Sequence, residues 1–189
     1  MAKIKFLAIP VEDCDIPGIG PDKAFLAMDT DARMLEKLNV SNKIQLGAKL
    51  TDGIDAACDP EVGRKATEES YNEIKRALEG ADMVILVACM GDGTGTGATP
   101  VIAKIAKELG AFALAIVTMP FGFEGKKHTL QALAGIERLQ KNIDSPVVVF
   151  PNDKLMEKIP RKITMREGIL AVDQMLSQAV QGFLESHIS

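Results

Sequence analysis

Apolar residues run without a break over Met83-Val84-Ile85-Leu86-Val87-Ala88-Cys89. A half-exposed strand would alternate, so this run predicts a central parallel strand covered on both faces. Shorter apolar stretches predict strands at Ile4 to Ile9, Phe25 to Met28 and Phe112 to Val117, with a short edge strand at Ile44-Gln45-Leu46. Pro146 to Phe150, β-branched and closed by a proline, predicts the last one. Between the strands the spacing turns helical. Pro60 to Leu78 places Val62, Ala66, Ile74, Ala77 and Leu78 on one stripe, with Gly80 as its stop, and Leu130 to Leu139 predicts another helix. A long terminal helix is expected from about Thr164 to Glu185, opened by Thr164 and Glu167 as a capping box. Alternating strands and helices specify an α/β domain with a parallel sheet covered by helices, and 1–189 reads as a single domain.

Directly after the central strand comes MGDGTGTGATP. Gly91, Gly93, Gly95 and Gly97 allow positive φ and close approach of the backbone to a ligand, with Asp92, Thr94 and Thr96 between them. Pro100 is placed as a first helical residue, and the helix it opens would offer unpaired N–H groups and a positive dipole end. A phosphate is the natural guest, and glycines serving turn geometry alone are the plain alternative. The loop is not a P-loop, because no Lys-Ser/Thr follows the glycines. Nor does its spacing fit the dinucleotide fingerprint, so a nicotinamide-dependent oxidoreductase is the weakest of the readings.

MGDGTGTGATP resembles the tubulin/FtsZ signature Gly-Gly-Gly-Thr-Gly-Thr/Ser-Gly, with Asp92 at the second glycine. The similarity continues through LAMDTDARML, IQLGAKLTDGIDAACDPEVGRKATEES, VTMPFGFEGKKH, FPNDKL and AVQGF. The chain therefore resembles the nucleotide-binding half of FtsZ over most of residues 24–185. The resemblance implies a three-layer Rossmann-like fold with helices on both faces of the sheet, and GTP or GDP as ligand. It places phosphate at Gly91 to Gly97 and the ribose at Glu124, with His128 standing where the family has an arginine that reaches sugar and phosphate. It places guanine at Asn152 and at Asp173 on the terminal helix. Ile169 stands where the family stacks a phenylalanine on the base.

Other departures concern charge. Residues 10–22, PVEDCDIPGIGPD, replace a second glycine-rich phosphate loop and bring Glu12, Asp13 and Asp15. In the loop GIDAACDP, which the resemblance assigns to sensing the terminal phosphate, Asp55 and Asp59 are new. With Asp92 they could gather Mg2+, which prefers oxygen ligands, or repel an anion; Asp59 before Pro60 also suits an N-cap. Asp31, in Asp29-Thr30-Asp31, matches the family pattern Asn-Thr-Asp-Ala and suits the cap of a following helix.

A net charge of −4 without a basic patch or an aromatic platform argues against nucleic acid as partner. The absence of an eighteen-residue apolar run and of a secretory signal points to a cytoplasmic chain without a membrane span. Cys14, Cys58 and Cys89 have neither disulfide nor zinc spacing. In the family, hydrolysis needs an acidic loop from the second domain of the next subunit. The sequence ends at Ser189, about where that loop would begin, so little or no GTP hydrolysis alone is expected. The expected partners are guanine nucleotide and an FtsZ-like or division protein, or a second copy in a homodimer. Met175, Leu176, Val180, Phe183 and Leu184 would leave apolar surface on the terminal helix for such a contact. The alternative is a pseudo-GTPase that has lost nucleotide binding and serves as a protein-interaction module.

Overall fold

Six strands, β1 (Ile4–Ile9), β2 (Phe25–Asp29), β3 (Lys43–Gln45), β4 (Met83–Cys89), β5 (Phe112–Met119) and β6 (Val147–Pro151), pair in parallel in the order β3-β2-β1-β4-β5-β6. They are seen in a computed structural model that describes residues 3–9, 25–156, 164, 167–168, 171, 174–175, 177–178 and 181–182. The strand order reverses between β1 and β4, the point at which sheets of this kind open a crevice beyond their carboxyl ends.

Alternation along the strands builds two cores. Leu7, Ile9, Val84, Leu86 and Ala88 join one cluster with Ala66, Ile74, Ile102, Ala132 and Leu139. Those partners come from α3 (Pro60–Glu69), α4 (Tyr71–Leu78), α5 (Thr94–Glu108) and α6 (Lys126–Asn142). Phe6, Ala8, Ile85 and Val87 join the other cluster, against Leu35 of α1 (Ala32–Lys37) and Met175 of the terminal segment. Helical segments thus cover both faces of the sheet. Two short helices, α2 (Ala48–Thr51) and α7 (Asn152–Met156), follow β3 and β6.

Two expectations change. Pro60 to Leu78 is not one helix: Ser70 separates α3 from α4, because its Oγ accepts the Gly47 N–H at 2.9 Å and is drawn to the end of β3. Nor does α5 begin at Pro100. It starts at Thr94, with Pro100 inside it. β1 and β4 keep their expected spans, β2, β5 and α6 extend theirs by up to four residues at an end, and β3 and β6 shift by one. The Thr164–Glu167 capping box forms, with the Thr164 N–H donating to Glu167 Oε2 at 2.6 Å and the Glu167 N–H to Thr164 Oγ1 at 3.3 Å. The 10–22 segment, Ile169, Asp173 and the rest of the apolar set on the terminal helix lie outside the described residues.

Candidate functional site

An aspartate, not a proline, starts α5. Asp92 Oδ1 accepts the N–H of Gly95 at 2.8 Å and of Thr96 at 3.3 Å, two of the donors that a helix start leaves unpaired. The Gly91 N–H donates to Thr96 Oγ1 at 2.7 Å, folding the turn back on the helix. A carboxylate of this chain therefore sits where the sequence reading placed a phosphate. The N–H groups of Asp92, Gly93 and Thr94 donate to no acceptor among the described residues.

The four glycines do different jobs. Only Gly91 takes positive φ, at 115°. Gly95 and Gly97 are helical and owe their identity to close approach: a Cβ on Gly95 would stand 2.1 Å from the Cys89 carbonyl oxygen, and one on Gly97 2.2 Å from that of Pro60. The expectation that positive φ runs through the loop is corrected accordingly. The glycines let α5 press against the end of β4 and against α3.

Around this helix start, loops from three other strands converge. Thr30, just after β2, shares a 2.7 Å hydrogen bond with Thr94 through their Oγ1 atoms and accepts the Ala56 N–H at 3.1 Å. Asp29, the buried last residue of β2, accepts the Asp31 N–H at 3.0 Å. Burial pushes its carboxyl up to about 6, against two backbone hydrogen bonds that pull it down, while Asp55 and Asp31 add repulsion. Burial likewise drives Asp92 up to about 7 against the pull of its Thr96 and Gly95 hydrogen bonds, with Asp29 and Asp55 raising it further. The site thus places three mutually repelling acids beside a set of backbone donors.

The three acids named from the sequence for Mg2+ do not act together. Asp59 Oδ1 accepts the Glu61 N–H at 2.9 Å as the N-cap of α3, and Asp55 Oδ2 accepts the Ala57 N–H at 3.2 Å in its own turn. Among the described residues no three His, Cys, Asp or Glu side chains are grouped to hold a metal ion. Asp31 is the N-cap of α1, bonding the Arg33 N–H at 2.9 Å, and the Arg33 side chain draws its carboxyl below the usual range.

On the other flank, Gly91 lies against Pro120 and the His128 carbonyl, so the glycine-rich turn meets the loop after β5. Glu124 Oε1 accepts the Phe121 N–H at 2.7 Å, and its Oε2 stands 3.9 Å from His128 Nδ1. Glu124 and His128 are therefore brought together. The same loop reaches the end of β6, where the Gly122 N–H donates to Asp153 Oδ1 at 3.0 Å. Asn152 is buried beside it, and among the described residues its Oδ1 has no hydrogen-bond partner. Gln131 of α6 ties the remaining loop in, donating to the Cys58 carbonyl at 2.8 Å.

Gly91, Asp92, Gly93, Thr94, Gly95, Thr96, Gly97, Glu124, His128 and Asn152 all lie beyond the carboxyl ends of β4, β5 and β6. Sequence reasoning missed Asp29 and Thr30 as part of this site. The signal was present: DTDA carries Asp29 where the family pattern has asparagine.

A sequence model described as the tubulin/FtsZ family, GTPase domain, matches residues 20–160. An empty FtsZ dimer from M. jannaschii is similar at 37% identity and TM-score 0.90, over 98% of this chain and 55% of that one. CetZ2 from Haloferax volcanii, in a GTPgS-bound protofilament, shares 22% identity with TM-score 0.83 over 96% and 58% of the two chains. CetZ1 of the same organism, a GDP-bound monomer, shares 20% with TM-score 0.81 over 93% and 58%. At those lower identities the likeness is one of fold. The chain spans about half the length of the solved structures it matches. No helix among the described residues is long and apolar enough to cross a membrane. The family match over most of the chain and 37% identity to an FtsZ along nearly all of it agree, and the chain belongs to the tubulin/FtsZ family, matching its GTPase domain.

Proposed function

We propose that the chain binds guanine nucleotide at this edge, as an FtsZ-type domain acting in cell division or a related filament system. In this reading the phosphates lie at the start of α5, the sugar between Glu124 and His128, and the base at Asn152 and Asp173. Its partner is an FtsZ-like chain or a second copy of this one. One observation carries the reading: the start of α5 already holds an anion, the Asp92 carboxylate, on two of its N–H groups. A donor set that captures a carboxylate suits a phosphate oxygen for the same reasons of dipole and geometry. Asn152 Oδ1, without a partner among the described residues, gives secondary support, since a guanine ring N–H is the kind of donor it could accept.

Bound nucleotide would supply the negative charge and the base edge, and Asp92 would have to turn off Gly95 and Thr96. Two like charges 4 Å apart repel by roughly 4 kcal/mol at an effective dielectric near 20, so both cannot remain. Magnesium in this reading arrives with the phosphates rather than at a preformed carboxylate cage.

The same contact favours a second reading, in which Asp92 has replaced the phosphate for good and the domain serves as a protein-interaction module. Calorimetric titration with GTP, GDP and ATP, with and without magnesium, separates the two when wild type and Asp92→Gly are run side by side. The first reading expects saturable GTP or GDP binding by wild type, tighter in the variant, and none for ATP. Binding by the variant alone selects the second reading. No heat from any nucleotide with either protein removes the nucleotide site altogether.

A further inference from the structure

All six strands are parallel, so their first residues share one edge of the sheet, opposite the start of α5. A cavity of about 400 Å3 opens at that edge between β1, β2, β3 and α4, lined in part by Lys5, Leu26, Lys43, Ile44, Glu73 and Arg76. That volume is within the range of small-ligand sites.

Its charge is unlike that of the rest of the chain. The protein carries a net −4, yet three cations and one carboxylate line this cavity. Among the described residues, Lys5, Lys43 and Arg76 join no ion pair, so no carboxylate of the chain neutralises them there. Lys5 is half-buried on a central strand, and its Nζ donates to the Ala77 carbonyl in the last turn of α4. That contact places the ammonium and leaves two of its three donors. Arg76 donates through Nε to the Asn72 carbonyl at 3.2 Å, which leaves the outer nitrogens of its guanidinium for another acceptor.

We propose that this cavity binds a small organic phosphate monoester. A monoester carries about −1.5 to −2 at neutral pH, which matches the local excess of two positive charges. The guanidinium fork and the two ammonium groups suit phosphate oxygens. Leu26 and Ile44, both buried, offer apolar lining for the organic body, and Glu73 can accept from a hydroxyl on it. The site is separate from the α5 edge and does not depend on nucleotide binding there.

The test is a 15N–1H NMR titration of the full chain with phenyl phosphate, with inorganic phosphate and benzoate as separate arms. Saturable shifts at the amides of Asn42, Lys43, Arg76 and Ala77 with phenyl phosphate, weaker with either control, are the expected result. Lys43→Glu and Arg76→Glu should each lower the affinity about tenfold or more, the worth of one charge-assisted contact. Lys104→Glu, remote on α5, should not. Both reversed residues are exposed, and Lys43→Gln serves as a milder variant should Lys43→Glu unfold. Shifts confined to Gly91 through Thr96, or affinity unchanged by charge reversal, overturn the proposal. Equal affinity for inorganic and phenyl phosphate overturns the organic body, and equal affinity for benzoate overturns the phosphate.

Discussion

At the carboxyl edge of the sheet, Asp29, Asp55 and Asp92 crowd a group of backbone N–H donors; at the opposite edge, Lys5, Lys43 and Arg76 surround a cavity. The first edge offers an anion neutral dipoles, and burial keeps Asp29 and Asp92 partly protonated. The second uses full charges in contact with solvent. Dipoles of the main chain are placed by packing, so the first edge should fail when packing is disturbed. Side-chain charges are placed by rotamers, so the second should tolerate packing changes and respond to charge reversal and salt. The contrast can be broken at four points.

The largest effect is expected from Gly97→Ala. Its new Cβ would meet the Pro60 carbonyl oxygen at 2.2 Å and the Arg64 nitrogen at 2.5 Å, both of them backbone atoms of α3 that cannot turn aside. A loss of roughly 3 kcal/mol is expected in urea unfolding, with or without nucleotide. An unchanged midpoint would mean that α3 and α5 can separate freely, and the claim that packing places the donors would fall.

Next comes pH. Asp29 and Asp92 titrate in the folded state near 6 and near 7, against an ordinary 3.8. Between about pH 4 and 7 the folded protein therefore binds more protons than the unfolded one, so stability falls as pH rises through that window and levels off above it. After allowance for solvent screening, roughly 3 kcal/mol should be lost between pH 5 and pH 8. Asp92→Asn keeps the acceptor for Gly95 and Thr96 but carries no charge, and should remove about two thirds of the slope. Equal urea midpoints for wild type at the two pH values would refute the buried-acid account.

How far the first edge could be read from residues alone follows from the same physics. The apolar run at β4 was legible as a central strand because burial on both faces leaves one composition open to it. The glycine-rich turn was legible as an anion-seeking helix start, whereas Glu124, His128 and Asn152 were named only through the family resemblance. Three features were not legible. Asp92 looked like a defect in a phosphate loop, but whether a carboxylate repels a ligand or takes its place depends on a rotamer that spacing does not specify. Pro100 looked like the first residue of α5, since a proline is cheap there; the Asp92 contact started the helix six residues earlier. Thr30 showed no periodic signal, because its partners Thr94 and Ala56 are brought to it only by the sheet.

A third effect separates charge from shape at the nucleotide site. Should the Asp92 carboxylate compete with phosphate, Asp92→Asn ought to bind GDP about tenfold more tightly than wild type at pH 8, near 1.4 kcal/mol. The gap should narrow at pH 6, where wild type is itself largely protonated at this position. A pH-independent gap in calorimetry would assign the effect to shape rather than charge.

The smallest effect concerns how firmly the loops of the first edge are held. Thr30→Val preserves volume but removes the hydroxyl shared by Thr94 and the Ala56 N–H, both of them buried. One buried N–H left without an acceptor should cost about 1 kcal/mol, because partial relaxation recovers some of the full penalty. Faster hydrogen exchange at the Ala56 amide should accompany it, whereas amides of β4 should keep their protection. Lys43→Gln at the opposite edge removes a whole charge, yet should change stability by less than about 0.5 kcal/mol, since that charge is exposed and joins no ion pair among the described residues. If the charge deletion proves the costlier of the two, the donors at the carboxyl edge are not held by packing, and the distinction between the two edges does not stand.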